Sequence, residues 1–228
     1  MNKLIFIIFL LSISVSFSQT FQVTKVNGKV KFLKAGSDSW QELKTNSKIE
    51  SGSVLSTEQN SSVQLKGKDI NFTLREASAI SVSNIKKMST DELLLALAME
   101  NIINTPRKKN NNNSDNTAVY GSEEQKKESA INKISDMGLK RLKGAKQLDE
   151  NGMKESAIVT AKEIYRKYPE TKNDSEYRIY FADLLYEKGL YEEAYDDFSS
   201  IKESPLEKTQ QNLVDERLKE IGRKLLNK

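Results

Sequence analysis

The sequence predicts two unlike domains, a small antiparallel β domain with a closing helix and then an α-helical repeat domain. Three observations lead to this fold class. Apolar and polar residues alternate with a period of two from Phe21 to about Ser83, as they do in half-buried β-strands. Apolar residues recur at helical intervals after Ile85 and throughout residues 123–228. Between these regions, residues 106–122 hold too few apolar groups to offset the entropy lost on ordering, which predicts a polar linker.

Residues 1–18 are typical of a secretory signal peptide. Lys3 is followed by an apolar run over residues 4–15, and small residues such as Ser18 precede Gln19. An uncleaved membrane anchor is the alternative, but a span needs about 20 apolar residues and this run is shorter. We therefore expect cleavage before Gln19, a periplasmic or secreted protein, and no stable membrane insertion of the mature chain.

The composition bounds the chemistry of the chain, because its 228 residues include no histidine and no cysteine. The commonest general base, the thiol nucleophile, disulfides and the usual ligands of zinc and copper are therefore missing. The sequence also contains no phosphate-binding glycine loop and no nucleophile-elbow motif. The net charge of +4 is too small and too scattered to predict a nucleic-acid partner. We expect a protein that is not an enzyme and that has no catalytic residue, cofactor or metal.

Turn residues divide the β region into short strands. Asn27-Gly28 lies between two β-branched runs and predicts a two-residue hairpin, from which antiparallel pairing follows. The single tryptophan, Trp40, could stack on a ligand. A lone tryptophan in a small β domain is more often part of the core, and we expect it there.

One helix follows the β region. Ser89 and Glu92 have capping-box spacing, and apolar residues then recur at helical intervals up to Pro106. The polar face of this helix carries acidic residues such as Glu100 rather than the lysines that an anionic lipid surface favours. We expect the helix to pack against the β domain and to complete it as residues 19–105.

Five helices are predicted in the C-terminal region, near residues 123–150, 154–168, 174–188, 191–203 and 207–226. Two of the breaks between them repeat. Gly152 and Gly189 are 37 residues apart, and each is followed five residues later by an alanine, Ala157 or Ala194. This spacing predicts an internal helix-turn-helix repeat whose units bury their apolar faces by stacking.

The β region resembles the FecR-like domain. The motifs that match, in order, are Val26-Asn27-Gly28-Lys29-Val30, Trp40 to Leu43, and Ser51-Gly52-Ser53-Val54-Leu55-Ser56-Thr57. They correspond to the valine-rich strand with a glycine turn, the tryptophan with a following leucine, and the glycine step of that family. The resemblance implies an extracytoplasmic β domain, in agreement with the signal peptide.

The helical region resembles a pair of tetratricopeptide repeats. The residues that match are Gly152, Ala157, Ile164, Tyr165, Tyr168 and Pro169 in one unit, and Gly189-Leu190-Tyr191-Glu192-Glu193-Ala194, Phe198 and Pro205 in the other. In that family the first helix of each unit lines a groove, which the resemblance implies to be formed here by Leu142, Lys146, Asp149, Ile179, Asp183 and Tyr186. Tyr186 would anchor a peptide or helix, and Lys146 and Asp183 would orient it. Leu142 and Ile179 fit the core equally well.

These features predict an exported binding or scaffold protein of the bacterial periplasm. The helical repeats would recruit another envelope protein, and the β domain would contact a second partner, a glycan or a receptor. The alternative is an accessory component of an envelope signalling or sensing system that uses the FecR-like domain.

Overall fold

The computed structural model describes residues 19–104 and 124–227, and it describes side chains up to residue 103 and from Asp136 onward. The predicted signal peptide and the predicted linker lie outside these residues. Within them the chain forms eight strands, two short 3-10 turns and six α-helices, with every strand preceding the first helix. An antiparallel β domain followed by helices is therefore the architecture, as the sequence predicts.

The strands form two four-stranded sheets. They are β1 (Thr20–Asn27), β2 (Val30–Leu33), β3 (Trp40–Glu42), β4 (Lys48–Glu50), β5 (Val54–Thr57), β6 (Ser62–Lys66), β7 (Asn71–Leu74) and β8 (Ala79–Ser81). The strand order is β4-β1-β6-β7 in one sheet and β3-β2-β5-β8 in the other. Every pair is antiparallel, which confirms the predicted pairing.

The predicted hairpin at Asn27-Gly28 is wrong, because β1 and β2 belong to different sheets. The turn instead carries the chain from one sheet to the other. Gly28 has a φ of 68° in the left-handed region, where glycine meets no steric penalty. A β-carbon at this position would also lie 2.4 Å from Ser61 Oγ. Glycine is therefore required here by its positive φ and by the close contact with Ser61, and not by a hairpin between β1 and β2.

Side chains from both sheets share one hydrophobic core. The alternation in β6 shows the pattern, since Val63 and Leu65 are buried while the residues between and after them face outward. Trp40 does not belong to this core, and the prediction that placed it there is wrong. Its side chain is 38% exposed, because β3 is a three-residue edge strand with all of its residues exposed. Phe21 and Phe72 supply the large buried rings instead.

The helices are α1 (Thr90–Asn104), α2 (Glu124–Glu150), α3 (Lys154–Lys167), α4 (Ser175–Glu187), α5 (Tyr191–Lys202) and α6 (Lys208–Leu226). The bounds of α2 to α6 agree with the five predicted helices to within one residue at each end. The predicted capping box also forms at the start of α1. The Ser89 N–H donates to Glu92 Oε2 at 2.7 Å, and the Glu92 N–H donates to Ser89 Oγ at 3.2 Å. The backbone hydrogen bond from Ser89 lowers the pKa of Glu92.

The first helix packs mainly on α3 rather than on the β domain, which differs from the predicted closing helix. Leu93 and Leu97 are buried on its inner side, and Glu100 pairs with Arg166 of α3 at 2.9 Å. The outer side exposes apolar residues such as Ile102. The helix is apolar on both sides, so that its sequence does not specify which surface it covers.

The two parts of the chain are joined where α2 lies against β7 and β8. At Gly144 the helix approaches the strand so closely that a β-carbon would lie 2.0 Å from the carbonyl oxygen of Ala79. Only glycine permits this approach, because the obstructing atom belongs to the backbone. The sequence analysis did not predict this contact.

Amide side chains at the C-terminal end of α2 and directly after it satisfy the free edge of β7. Gln147 accepts a hydrogen bond from the Arg75 N–H at 2.6 Å and donates one to Ser78 Oγ at 2.8 Å. One turn later, Asn151 Oδ1 accepts from the Thr73 N–H at 3.1 Å. Buried backbone groups that stay unpaired are costly, and an open strand edge invites pairing with another chain. The helix therefore completes the sheet as well as covering it.

Replacing Gly144 by alanine tests this contact. We expect Gly144→Ala to lower the free energy of unfolding by roughly 1–3 kcal/mol, because the methyl group must displace backbone atoms. Gly222→Ala is the matched control, since that helical glycine has open space around it. It should raise stability by up to about 1 kcal/mol through helix propensity. Urea denaturation of both variants measures the difference, and equal stability of the two would contradict the close approach.

Candidate protein-interaction surface

The helical part consists of equivalent helix-turn-helix units. Gly152 and Gly189 end α2 and α4 with φ values of 78° and 76°. The Gly152 N–H donates to the Asp149 carbonyl at 2.8 Å, and the Gly189 N–H donates to the Tyr186 carbonyl at 2.9 Å. Five residues after each glycine, a fully buried alanine lies in the next helix. The repeat in the sequence is therefore a repeat in the structure, with an offset of 37 residues.

Tyr180 joins α4 to α2. Its hydroxyl donates to Asp149 Oδ2 at 2.5 Å, and the ammonium group of Lys146 lies 4.9 Å from the centroid of its ring. The ring therefore contacts a cation through its face and an anion through its hydroxyl. These contacts hold α4 against α2.

Arg217 joins α6 to α4 in the same way. Its Nε donates to Asp183 Oδ1 at 2.7 Å, and its guanidinium lies 4.9 Å from the centroid of the Tyr186 ring. A second nitrogen donates to Glu220 of the same helix at 2.9 Å. The Tyr186 ring also meets the Tyr191 ring at 5.6 Å. A cation, an aspartate and a tyrosine thus hold both helix pairs together.

The two sets of contacts occupy equivalent positions. Each residue of the first set lies 37 positions before its counterpart in the second, and the residue types are permuted. We call these six residues the inter-helix ladder: Lys146, Asp149 and Tyr180, with Asp183, Tyr186 and Arg217. The ladder therefore links α2 to α4 and α4 to α6, and the face of these helices that carries it is called the ladder surface.

Burial and hydrogen bonding alter the ionisation of two ladder residues. Burial raises the pKa of Tyr180, and the hydrogen bond to Asp149 raises it further. For Arg217, burial acts to lower the pKa, but the hydrogen bonds to Asp183 and Glu220 outweigh it and the pKa is raised. Tyr180 therefore stays neutral and Arg217 stays charged across the neutral range.

The structure divides the six residues predicted to line a groove. Leu142 is fully buried and Ile179 is only 8% exposed, so that both belong to the core. Four of the predicted residues are half-buried members of the ladder: Lys146, Asp149, Asp183 and Tyr186. Their polar groups are engaged between helices, and their role in binding a partner stays a prediction.

Sequence reasoning missed Tyr180 and Arg217, which connect the ladder. The repeat could have identified them, because Lys143, Tyr180 and Arg217 are spaced at intervals of 37 residues. In α4 and α6 this position is occupied by Tyr180 and Arg217, and it faces the preceding helix-turn-helix unit. In α2 the same position carries Lys143, and the β domain takes the place of a preceding unit.

The described part of the chain shows neither a metal centre nor a membrane-spanning helix. Among residues 19–104 and 124–227, no group of three or more acidic side chains is arranged to hold a metal ion. No helix within those residues has the length and apolar character needed to cross a bilayer. The ladder surface and the junction with the β domain both carry charged side chains.

Comparisons with protein-family models, with curated proteins and with solved structures find no match to this chain. The likeness to FecR-like and tetratricopeptide domains therefore depends on the residues quoted above. Function has to be inferred from the geometry of the surface itself.

Alkaline pH tests the half-buried phenol of Tyr180 in the ladder. A raised pKa in the folded state means that the folded protein holds the proton more tightly than the unfolded chain does. The stability that Tyr180 contributes is thus complete below the ordinary tyrosine pKa of about 10 and is lost as pH rises above it. Tyr177, whose pKa burial raises to about 12, acts in the same direction.

We expect Tyr180→Phe to cost about 1 kcal/mol at pH 7, because one hydrogen bond is lost. Above pH 10 its free energy of unfolding should fall less steeply than that of the wild type, since one titrating group has been removed. Urea denaturation at several pH values measures both effects. The same alkaline slope in the two proteins would show that Tyr180 does not titrate as described.

Proposed function

We propose that this chain is an exported, non-enzymatic binding protein of the bacterial envelope. In this proposal the helices form a tetratricopeptide-like array that recruits another envelope protein, and the β domain is FecR-like. The observation that carries the proposal is the inter-helix ladder. Repeated contacts at equivalent positions are how arrays of stacked helices build an extended binding surface.

The chemistry of the ladder suits a peptide or a helix of a partner. Tyr186 supplies an aromatic ring whose hydroxyl accepts or donates, a residue type that is enriched at binding hot spots. Lys146 on α2 and Asp183, one turn before Tyr186 on α4, supply charges of opposite sign. A partner with a complementary charge pair would bind in one direction only.

The attachment of the β domain to α2 supports scaffolding in particular. Buried hydrogen bonds from Gln147 and the close approach at Gly144 hold the β domain against the first helix of the array. A partner on the β domain and a partner on the ladder would therefore be held at a fixed separation. Two tethered domains would not have this property.

The test is a crosslinking capture from intact envelopes with the full mature chain. Deleting the helices is unsuitable, because the deletion would uncover the edge of β7. Tyr186→Ala removes the proposed anchor, and Tyr195→Ala is the matched control because Tyr195 is 43% exposed on α5, outside the ladder. We expect Tyr186→Ala to lose at least tenfold of the specifically captured partner, which corresponds to a hot-spot tyrosine.

The control variant should capture the partner as the wild type does. Because Tyr186 also contacts Arg217 and Tyr191, circular dichroism at the capture temperature must show both variants folded, so that loss of capture reports the surface and not unfolding. Equal capture by Tyr186→Ala and Tyr195→Ala would overturn the ladder as the recruiting surface. A receptor complex captured through the β domain would then favour the sensing role.

Export has its own test. The mature protein should be recovered from the envelope or medium with Gln19 at its N-terminus, as the signal-peptide pattern predicts. Mass spectrometry of the N-terminal peptide identifies the first residue. Recovery of the chain with Met1 in the cytoplasmic fraction would contradict the proposed location.

A further inference from the structure

A cleft of about 680 Å³ lies between the β domain and α2. Neither part of the chain forms it alone. Four lysines and two carboxylates line it: Lys29, Lys31 and Glu58 from the β domain, and Asp136, Lys140 and Lys143 from α2. The cleft is separate from the ladder, although Lys143 belongs to the same helix as Lys146.

The charges of the cleft do not balance. Glu58 lies 3.9 Å from Lys31 and 3.5 Å from Lys140, and Asp136 lies 3.5 Å from Lys140. Within the part of the chain whose side chains are described, no carboxylate lies within 4.0 Å of the ammonium groups of Lys29 or Lys143. Both acids are therefore already paired with Lys31 or Lys140. The cleft therefore presents two ammonium groups without an ionic partner, one on each wall.

The wall formed by the β domain is held in place by its backbone. The Lys29 N–H donates to Ser61 Oγ at 2.9 Å, and the Glu58 N–H donates to the Lys29 carbonyl at 3.1 Å. Ala77, which also lines the cleft, has a φ of 50° and donates its N–H to the Glu58 carbonyl at 3.0 Å. A left-handed alanine is strained and persists only where its surroundings hold it. The turns that carry Lys29 and Glu58 are thus fixed relative to each other.

We infer that this cleft binds an acidic segment of a partner protein. Lysine ammonium groups act as separate point charges, whereas arginine is the residue that grips a single planar anion with two parallel hydrogen bonds. Cations on opposite walls therefore fit carboxylates spaced along a chain. The volume lies within the range of ligand-binding clefts, and Leu139 and Ala77 offer apolar contact between the charges.

This inference depends on the proposed function only in taking the ligand to be a protein. The binding is tested directly, with the full mature chain and a fluorescent hexaglutamate peptide at about 0.15 M ionic strength, where the Debye length is about 8 Å. The variant is Lys29→Gln with Lys143→Gln. The matched control is Lys219→Gln with Lys224→Gln, which removes the same charge from exposed positions on α6.

We expect fluorescence anisotropy to show binding to the wild type, and the cleft variant to raise the dissociation constant by about tenfold or more. The control should change it by less than about twofold, because exposed charges beyond a Debye length are screened. Melting temperatures of the two variants should match that of the wild type. Binding should also weaken as salt is added.

Three results would overturn the inference. The first is the absence of hexaglutamate binding to the wild type. The second is equal weakening in both double variants, which would reflect net charge alone. The third is binding of inorganic triphosphate with the same lysine dependence but no binding of hexaglutamate, which would make the cleft a polyphosphate site.

The two proposals fail separately. If Tyr186→Ala still binds hexaglutamate and envelope capture does not depend on Tyr186, the ladder is not the recruiting surface, and the proposed binding site in the cleft stands. If capture depends on Tyr186 but the wild type does not bind hexaglutamate, the cleft does not bind acidic segments, and the ladder stands as the recruiting surface.

Discussion

The rest of the structure depends on the close approach of α2 to β8 at Gly144. This contact brings Gln147 and Asn151 to the edge of β7, and it turns the opposite side of the helix toward α3 and α4. The ladder then extends outward from α2 through Tyr180. Further contacts join the two parts, including the hydrogen bond from Ser156 Oγ to the Lys86 carbonyl at 2.5 Å. Buried side chains of the sheets and the helices consequently belong to one hydrophobic cluster.

Much of the helical part could be predicted from the sequence, because its determinants are local. Helix ends depend on nearby residues such as Gly152 and Gly189, whose conformations and hydrogen bonds recur at the predicted offset. The capping box at Ser89 is equally local. The repeat indicated which helix faces would be equivalent, and four of the six proposed surface residues lie in the ladder. The two apolar ones are buried, since periodicity cannot separate a groove wall from a core.

The features that could not be predicted depend on contacts between distant residues. The motif Asn27-Gly28 indicates a turn with a left-handed residue, but it does not indicate which strands the turn connects. Trp40 is exposed because β3 lies at the edge of its sheet, and sheet order is not encoded in local pattern. Gly144 has the sequence context of an ordinary helical glycine. Its importance follows only from the position of the Ala79 carbonyl, which is more than 60 residues away in the chain.

The hydrogen bonds that Gln147 and Asn151 make with the edge of β7 also set the order in which parts of the protein can fold. Arg75 and Gln147 are 72 residues apart, so that this edge has no partner from α2 until that helix has been synthesised and has docked. Contacts of such long sequence separation form slowly. During this interval β7 has an open edge, and the folding chain is at its most exposed to strand pairing with other chains. A chaperone that shields extended strand edges would therefore act on β7 before α2 docks, and would find that edge already paired afterwards.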